Sequence, residues 1–211
     1  MRQIGLFGGS FNPIHNGHLH LVKAVRRGLR LDGIVLMPTG EAPHKDSSAY
    51  APAADRLAMC RLAAEPFPWL SVSDYETKKA GKSYTVKTLR HLTETEPDTA
   101  WTLLIGSDML LSFDTWRSWE EILTLARLCT VSRESGDLMQ LRAYAAKLRK
   151  AVPGARVRVL SAEALPLSST DIRGKLQNNA DCSCLLPRNV VQYICQKRLY
   201  GTGGAADEQT G

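Results

Sequence analysis

The chain has 211 residues, 44% hydrophobic and 23% charged, so it can bury a real core and is neither a disordered nor a fibrous sequence. Its net charge of +6 comes from scattered Lys and Arg, with no block of five or six like charges; that argues against a nucleic-acid partner and leaves room for a pocket that takes several phosphates. Five cysteines, an odd number spread through apolar or helical segments, argue against a disulfide framework and point to a reducing compartment.

The N-terminus, Met1-Arg2-Gln3-Ile4-Gly5-Leu6-Phe7-Gly8-Gly9, carries no signal-peptide pattern, and no apolar run approaches the roughly 18 residues of a membrane span. A cytoplasmic protein without a membrane partner is the expectation. Residues 4–7 read as a buried strand ended by glycines. A loop follows, and then Leu19, Val22, Val25 and Leu29 set a helical spacing over 18–30. Residues 33–38 are a second buried strand, 39–51 a polar loop, and 52–65 a helix with Pro52 near its first turn. Strands over 69–73 and 101–105 flank a helix over 83–96. A helix over 120–127, a strand over 128–132, a helix over 140–150 and a strand over 156–160 continue the alternation. Short helices over 170–177 and 187–197 close the chain.

Strands alternating with helices predict an α/β fold, with a doubly wound, mostly parallel sheet, helices on both faces and a small C-terminal helical part. In such sheets ligands bind beyond the carboxyl ends of the strands. No linker splits the chain, so residues 1–200 are expected to form one domain. Residues 201–211, of Gly, Ala and polar residues only, are expected to be a disordered tail. Cys182-x-Cys184 lacks the spacing and companions of a zinc site.

Two segments carry chemistry. The first is Gly8-Gly9-Ser10-Phe11-Asn12-Pro13-Ile14-His15-Asn16-Gly17-His18, between a strand and a helix. Its glycines allow close approach of a ligand, and the helix start offers N–H groups and a positive dipole end. Two imidazoles there can neutralise charge on a leaving pyrophosphate. The glycine spacing is not that of the dinucleotide-binding fingerprint. Gly81-Lys82-Ser83 is not a P-loop either, because Glu76 stands where its first glycine belongs. The second segment is Leu167-Ser168-Ser169-Thr170-Asp171-Ile172-Arg173, in which Ser169 or Thr170 can cap a helix and Arg173 completes an anion site.

The first segment closely resembles the H-x-G-H signature of the nucleotidyltransferase superfamily, whose nucleotide-binding core is Rossmann-like. The second resembles the S-S-T-x-I-R motif of nicotinate mononucleotide adenylyltransferases, which contacts the triphosphate from the opposite side. Ala42-Pro43-His44-Lys45 is similar to that family's P-P-H-K loop, with Ala42 replacing its first proline. Ser83-Tyr84-Thr85 resembles its S-Y-T helix start at the nicotinate ring. Gly106-Ser107-Asp108 resembles the loop whose carboxylate holds ribose hydroxyls, and Phe113-Asp114-Thr115-Trp116 the segment whose tryptophan stacks on the pyridine ring. Arg117 departs from the family's usual aromatic, and Arg133-Glu134-Ser135-Gly136 from its R-P-G. The resemblance spans residues 2 to 200 and identifies the bacterial type.

The resemblance implies transfer of the adenylyl group of ATP to nicotinate mononucleotide, with pyrophosphate as leaving group. His18, His15, Ser10 and Arg173 are the implied catalytic set. Gly8, Gly9, Ser10, Phe11, His15, His18, Gly106, Asp108, Ser169, Thr170 and Arg173 would bind ATP. His44, Lys45, Ser83, Tyr84, Thr85, Trp116 and Arg133 would bind the acceptor. Mg2+ would be held through the ATP phosphates, with no protein metal cage. Alternatives are relatives that use nicotinamide mononucleotide, phosphopantetheine or cytidylyl transfer. A non-catalytic nucleotide sensor or RNA-binding module is an answer of another class. A homo-oligomer is left open.

Overall fold

In the computed structural model, which describes residues 1–40, 50–79, 81–132, 136–162, 165 and 167–202, the alternation is present along the chain. β1 (Arg2–Gly9), α1 (Asn16–Leu29), β2 (Gly33–Pro38), α2 (Ala53–Ala64), β3 (Leu70–Val72), α3 (Thr85–Thr95) and β4 (Thr99–Ile105) form the first half. A short α4 (Ser107–Leu110), a 3-10 turn (Phe113–Thr115), α5 (Trp119–Leu125), β5 (Arg127–Ser132), α6 (Leu138–Ala151) and β6 (Val157–Ser161) follow. The chain then adds α7 (Ser169–Gln177), α8 (Arg188–Gln196) and a last 3-10 turn (Leu199–Gly201).

Among the described residues the six strands form one sheet in the order β3-β2-β1-β4-β5-β6, and every pairing is parallel. The order in which the chain adds strands reverses between the adjacent β1 and β4, while all strands run the same way. Successive strand residues point to opposite faces, so each strand feeds two cores. Phe7, Ile34, Leu36, Leu104, Cys129 and Val131 pack with α1, α2, α7 and α8. Ile4, Leu6, Leu103, Ile105 and Leu128 pack with α3, α5 and α6. Residue 5 must be glycine for this packing to close: a Cβ there would lie 2.9 Å from Ile34 Cγ1 and 3.1 Å from a methyl of both Leu104 and Leu31.

Several boundaries differ from the sequence reading. β1 extends to residues 2–9 because neighbouring strands pair with it along its length, Arg2 with Thr99 and Gly9 with Pro38. α1 begins at Asn16, which puts His18 inside its first turn. α3 begins at Thr85, so Ser83 and Tyr84 precede the helix instead of opening it. Of the expected tail, residues 201 and 202 are described: Gly201 belongs to the last 3-10 turn, and the Thr202 N–H donates to Leu199 O at 3.2 Å. The rest of the expected tail lies outside the described residues. No described helix is long and apolar enough to cross a membrane, and all five cysteines are free.

Candidate nucleotide-binding site

The loop leaving β1 turns back over the sheet because Phe11 adopts a left-handed conformation (φ 46°). That turn drives its ring into the core, against Phe7 at 5.4 Å and His18 at 5.1 Å. Gly9 accommodates the ring, since a Cβ there would sit 3.1 Å from it. Phe11 was expected to bind ATP; its side chain is buried and only its backbone can face a ligand.

His15 is the N-cap of α1 and is buried, in extended conformation. Its N–H donates to His18 Nδ1 at 3.2 Å, and the two rings lie 3.7 Å apart. Because Nδ1 accepts, the proton of a neutral His18 sits on Nε2, which is then a donor. Gly17 lets the two rings approach: a Cβ there would lie 3.0 Å from the His15 ring. The glycine between the histidines is thus a packing requirement as well as a backbone one.

Across a cleft of about 280 Å³ stands α7. Ser10, His15, His18, Ser169, Thr170 and Arg173 all line this cleft. Ser168, and neither Ser169 nor Thr170, caps the helix, its hydroxyl accepting from the Asp171 N–H at 3.1 Å. The Ser169 hydroxyl donates to Pro13 O at 3.0 Å, and Arg173 Nη1 donates to Asn12 O at 2.9 Å. Both side chains therefore fasten α7 to the first loop, and Arg173 keeps its charge at the cleft. No Asp or Glu is among the described lining residues, so the donor set suits phosphate oxygens better than a bare cation.

Gly106 and Asp108 lie at the end of neighbouring β4, with Asp108 exposed in the first turn of α4. They are beside the cleft and do not line it. On the other face, Tyr84 and Trp116 pack against one apolar cluster. Trp116 contacts Phe113 at 5.2 Å, and the Arg117 guanidinium lies 4.9 Å from the Tyr84 ring. Asp114 anchors this turn by accepting from Lys147 Nζ at 2.8 Å and from the Tyr144 hydroxyl. The Lys147 bond first, and then the Tyr144 bond, hold the Asp114 carboxyl below its usual range. Ser83 and Thr85 are half-buried at the α3 start. The expected acceptor residues His44, Lys45 and Arg133 lie outside the described residues.

Three residues that sequence reasoning did not single out hold the site. Arg56 of α2 is buried. It donates from Nη1 to Ser10 O at 2.7 Å, from Nη2 to Gly40 O at 3.1 Å and from Nε to Ala51 O at 3.1 Å. Burial pushes its pKa down, and among the described residues no carboxylate pairs with it. Asn12 Oδ1 accepts from the Ala51 N–H at 3.0 Å and from the Tyr200 hydroxyl at 2.8 Å. Glu76 is buried and accepts from the Thr88 hydroxyl at 2.6 Å; desolvation raises its carboxyl above the usual range despite that bond. The burial of Arg56, though not its partners, was legible in the sequence, since it shares a helix face with Met59, Cys60 and Ala63.

A cytidylyltransferase-like family model matches residues 6–175. A probable nicotinate-nucleotide adenylyltransferase of Synechococcus sp. (strain JA-3-3Ab) is 41% identical over 201 residues, 94% of this chain and 95% of that protein. One from Neisseria meningitidis serogroup B (strain ATCC BAA-335 / MC58) is 38% identical over 95% of this chain and 99% of its own length. Among solved structures, the Plasmodium falciparum nicotinic acid mononucleotide adenylyltransferase complexed with NaAD superposes with a TM-score of 0.77 over 95% of this chain and 98% of that one. At 17% identity that likeness speaks for the fold.

Arg56→Met keeps much of the side chain's length and removes all three donors. Each buried carbonyl left unsatisfied costs about 1–3 kcal/mol, so urea denaturation should show a loss of at least about 2 kcal/mol. Arg56→Lys should recover part of it, because an ammonium cannot span three carbonyls with one planar fork. A loss below about 0.5 kcal/mol for the Met variant, the ordinary range of a neutral surface change, would show that the guanidinium does not hold the loops.

Proposed function

Because the chain belongs to the cytidylyltransferase-like family, and within it to the nicotinate-nucleotide adenylyltransferases, we propose that it transfers the adenylyl group of ATP to nicotinate mononucleotide. The products are nicotinate adenine dinucleotide and pyrophosphate. The observation that carries the reading is the cleft that His15 and His18, their rings 3.7 Å apart and inclined at 31°, line together with Thr170 and Arg173 of α7.

A phosphate oxygen of the acceptor attacks the α-phosphorus of ATP, and the bond from that phosphorus to the β-phosphate oxygen breaks. A phosphate monoester is already anionic near neutral pH, so the protein needs no strong base. Its task is to align two anions and to stabilise the charge that grows on the leaving pyrophosphate. The α1 N-terminus, with no acidic residue in its first turn, favours negative charge. His18 Nε2–H donates toward the α-phosphate, held in that tautomer by the His15 N–H at Nδ1. Ser10 and the loop N–H groups add donors. Arg173 and the first N–H groups of α7 take the β- and γ-phosphates. Mg2+ would come with the ATP substrate and neutralise part of its phosphate charge, since among the described residues no cluster of three His, Cys, Asp or Glu could hold the ion.

Asp108, at the β4 exit, offers a carboxylate to ribose hydroxyls of ATP, and on the acceptor side Trp116 offers a ring face. The α3 start, also free of acidic residues in its first turn, suits the nicotinate carboxylate. Arg117 over Tyr84 adds positive charge there.

Pyrophosphate release with ATP and a panel of acceptors tests the assignment. Nicotinate mononucleotide should exceed nicotinamide mononucleotide in kcat/KM by at least about a hundred-fold, because the amide NH2 would face donors left without a partner. Comparable values would remove the acid-specific reading, and release only with another acceptor would remove the substrate. His18→Ala should lower kcat by roughly a hundred- to a thousand-fold with little change in the KM for ATP, as expected of a group that meets charge developing in the transition state. A near-normal kcat would take His18 out of the mechanism.

A further inference from the structure

The opposite end of the sheet carries a second groove, of about 620 Å³. Five arginines line it. Arg30 follows the C-terminus of α1, Arg127 opens β5, Arg149 sits in the last turn of α6, and Arg156 and Arg158 flank the start of β6. The remaining lining is Gly28, Leu29, Ala155 and Val157. No acidic and no aromatic side chain lines it among the described residues. None of the five guanidinium groups forms an ion pair among those residues. Arg149 Nη1 donates to Val157 O at 2.9 Å, which fixes its fork against the edge of β6.

Five like charges gathered around one concavity repel one another, and neighbouring carboxylates usually offset such a cluster. Here they do not, so the groove is strongly positive and focuses its field on whatever enters. The residue type narrows the ligand. Arginine presents a planar fork that matches phosphate oxygens two at a time. The absence of an aromatic wall removes the stacking surface that base recognition in single strands uses.

We infer that this groove is a second anion site, distinct from the nucleotide cleft, that binds a small ligand carrying several adjacent phosphate groups. The site lies at the amino ends of the strands, and the fourteen residues of α1 separate it from His15, roughly 20 Å along the helix. It therefore takes no part in the transfer step and stands whether or not the proposed reaction is correct.

Inorganic tripolyphosphate is the probe. Arginine modification of the full chain by phenylglyoxal, followed by peptide mass mapping, should show protection of Arg156 and Arg158 at saturating tripolyphosphate. Calorimetric titration should give a binding component that weakens at least about ten-fold in Arg156→Ala/Arg158→Ala, because two charge-assisted contacts to phosphate are removed. That variant should keep its turnover within about two-fold, which shows that it folds. Absent protection, or an unchanged titration in the variant, would overturn the site. A short oligothymidylate that binds the groove more tightly per phosphate than tripolyphosphate would overturn the small-ligand assignment in favour of a nucleic-acid backbone.

Discussion

A single buried guanidinium sets the shape of the nucleotide-binding end. Arg56 reaches from α2 to the carbonyls of Ser10, Gly40 and Ala51, and so joins the exits of β1 and β2 to the segment that leads into α2. Loops at strand ends have few apolar contacts of their own, and their carbonyls must find donors when they are buried. One arginine supplies three. Desolvating a cation is unfavourable unless something offsets it, and here carbonyl dipoles do so in place of a carboxylate. The result leaves net positive charge beneath a cleft that anionic phosphates are proposed to fill.

Around that anchor the same side chains serve both scaffold and chemistry. Ser169 and Arg173 bond to the carbonyls of Pro13 and Asn12, so α7 cannot shift without moving the first loop. Asn12 is held in turn by the Ala51 N–H and by Tyr200 from the end of the described chain. Gly40 reinforces the arrangement from the other side: a Cβ there would lie 2.5 Å from Glu76 O, so the β2 exit packs directly on the turn before α3. The two halves of the cleft are thus pre-set relative to each other before any ligand arrives, which is the condition under which electrostatic stabilisation is effective.

The order and type of the main elements were legible in the sequence because each carries a clear period or a compact apolar run. So was the histidine pair, whose intervening glycine leaves few structural explanations. The failures share a cause. Arg56, Asn12 and Tyr200 act through bonds that span 46, 39 and 188 positions, and no local pattern encodes such pairings. The positive φ of Phe11 turns its ring inward, which leaves its expected ATP contact to the backbone of the loop. Ser168 replaced its neighbours as the cap because Ser169 is drawn to Pro13 O. Of the 3-10 turn at Leu199–Gly201, only Gly201 falls in the stretch read as a tail, and the Tyr200 hydroxyl gives the turn its tertiary bond.

The central claim is that the first loop and α7 form one pre-set clamp for the triphosphate. A crystal structure of the protein with magnesium and a non-hydrolysable ATP analogue tests it most directly. The account predicts the α-phosphate at His18 Nε2 and the β- and γ-phosphates between Arg173 and the α7 N-terminus. It also predicts that the Arg56 bonds to Ser10, Gly40 and Ala51 stay intact, with the loop backbone displaced by less than about 1 Å, as in pre-organised complexes. A triphosphate bound elsewhere, or a first loop that rebuilds with those bonds broken, would contradict it.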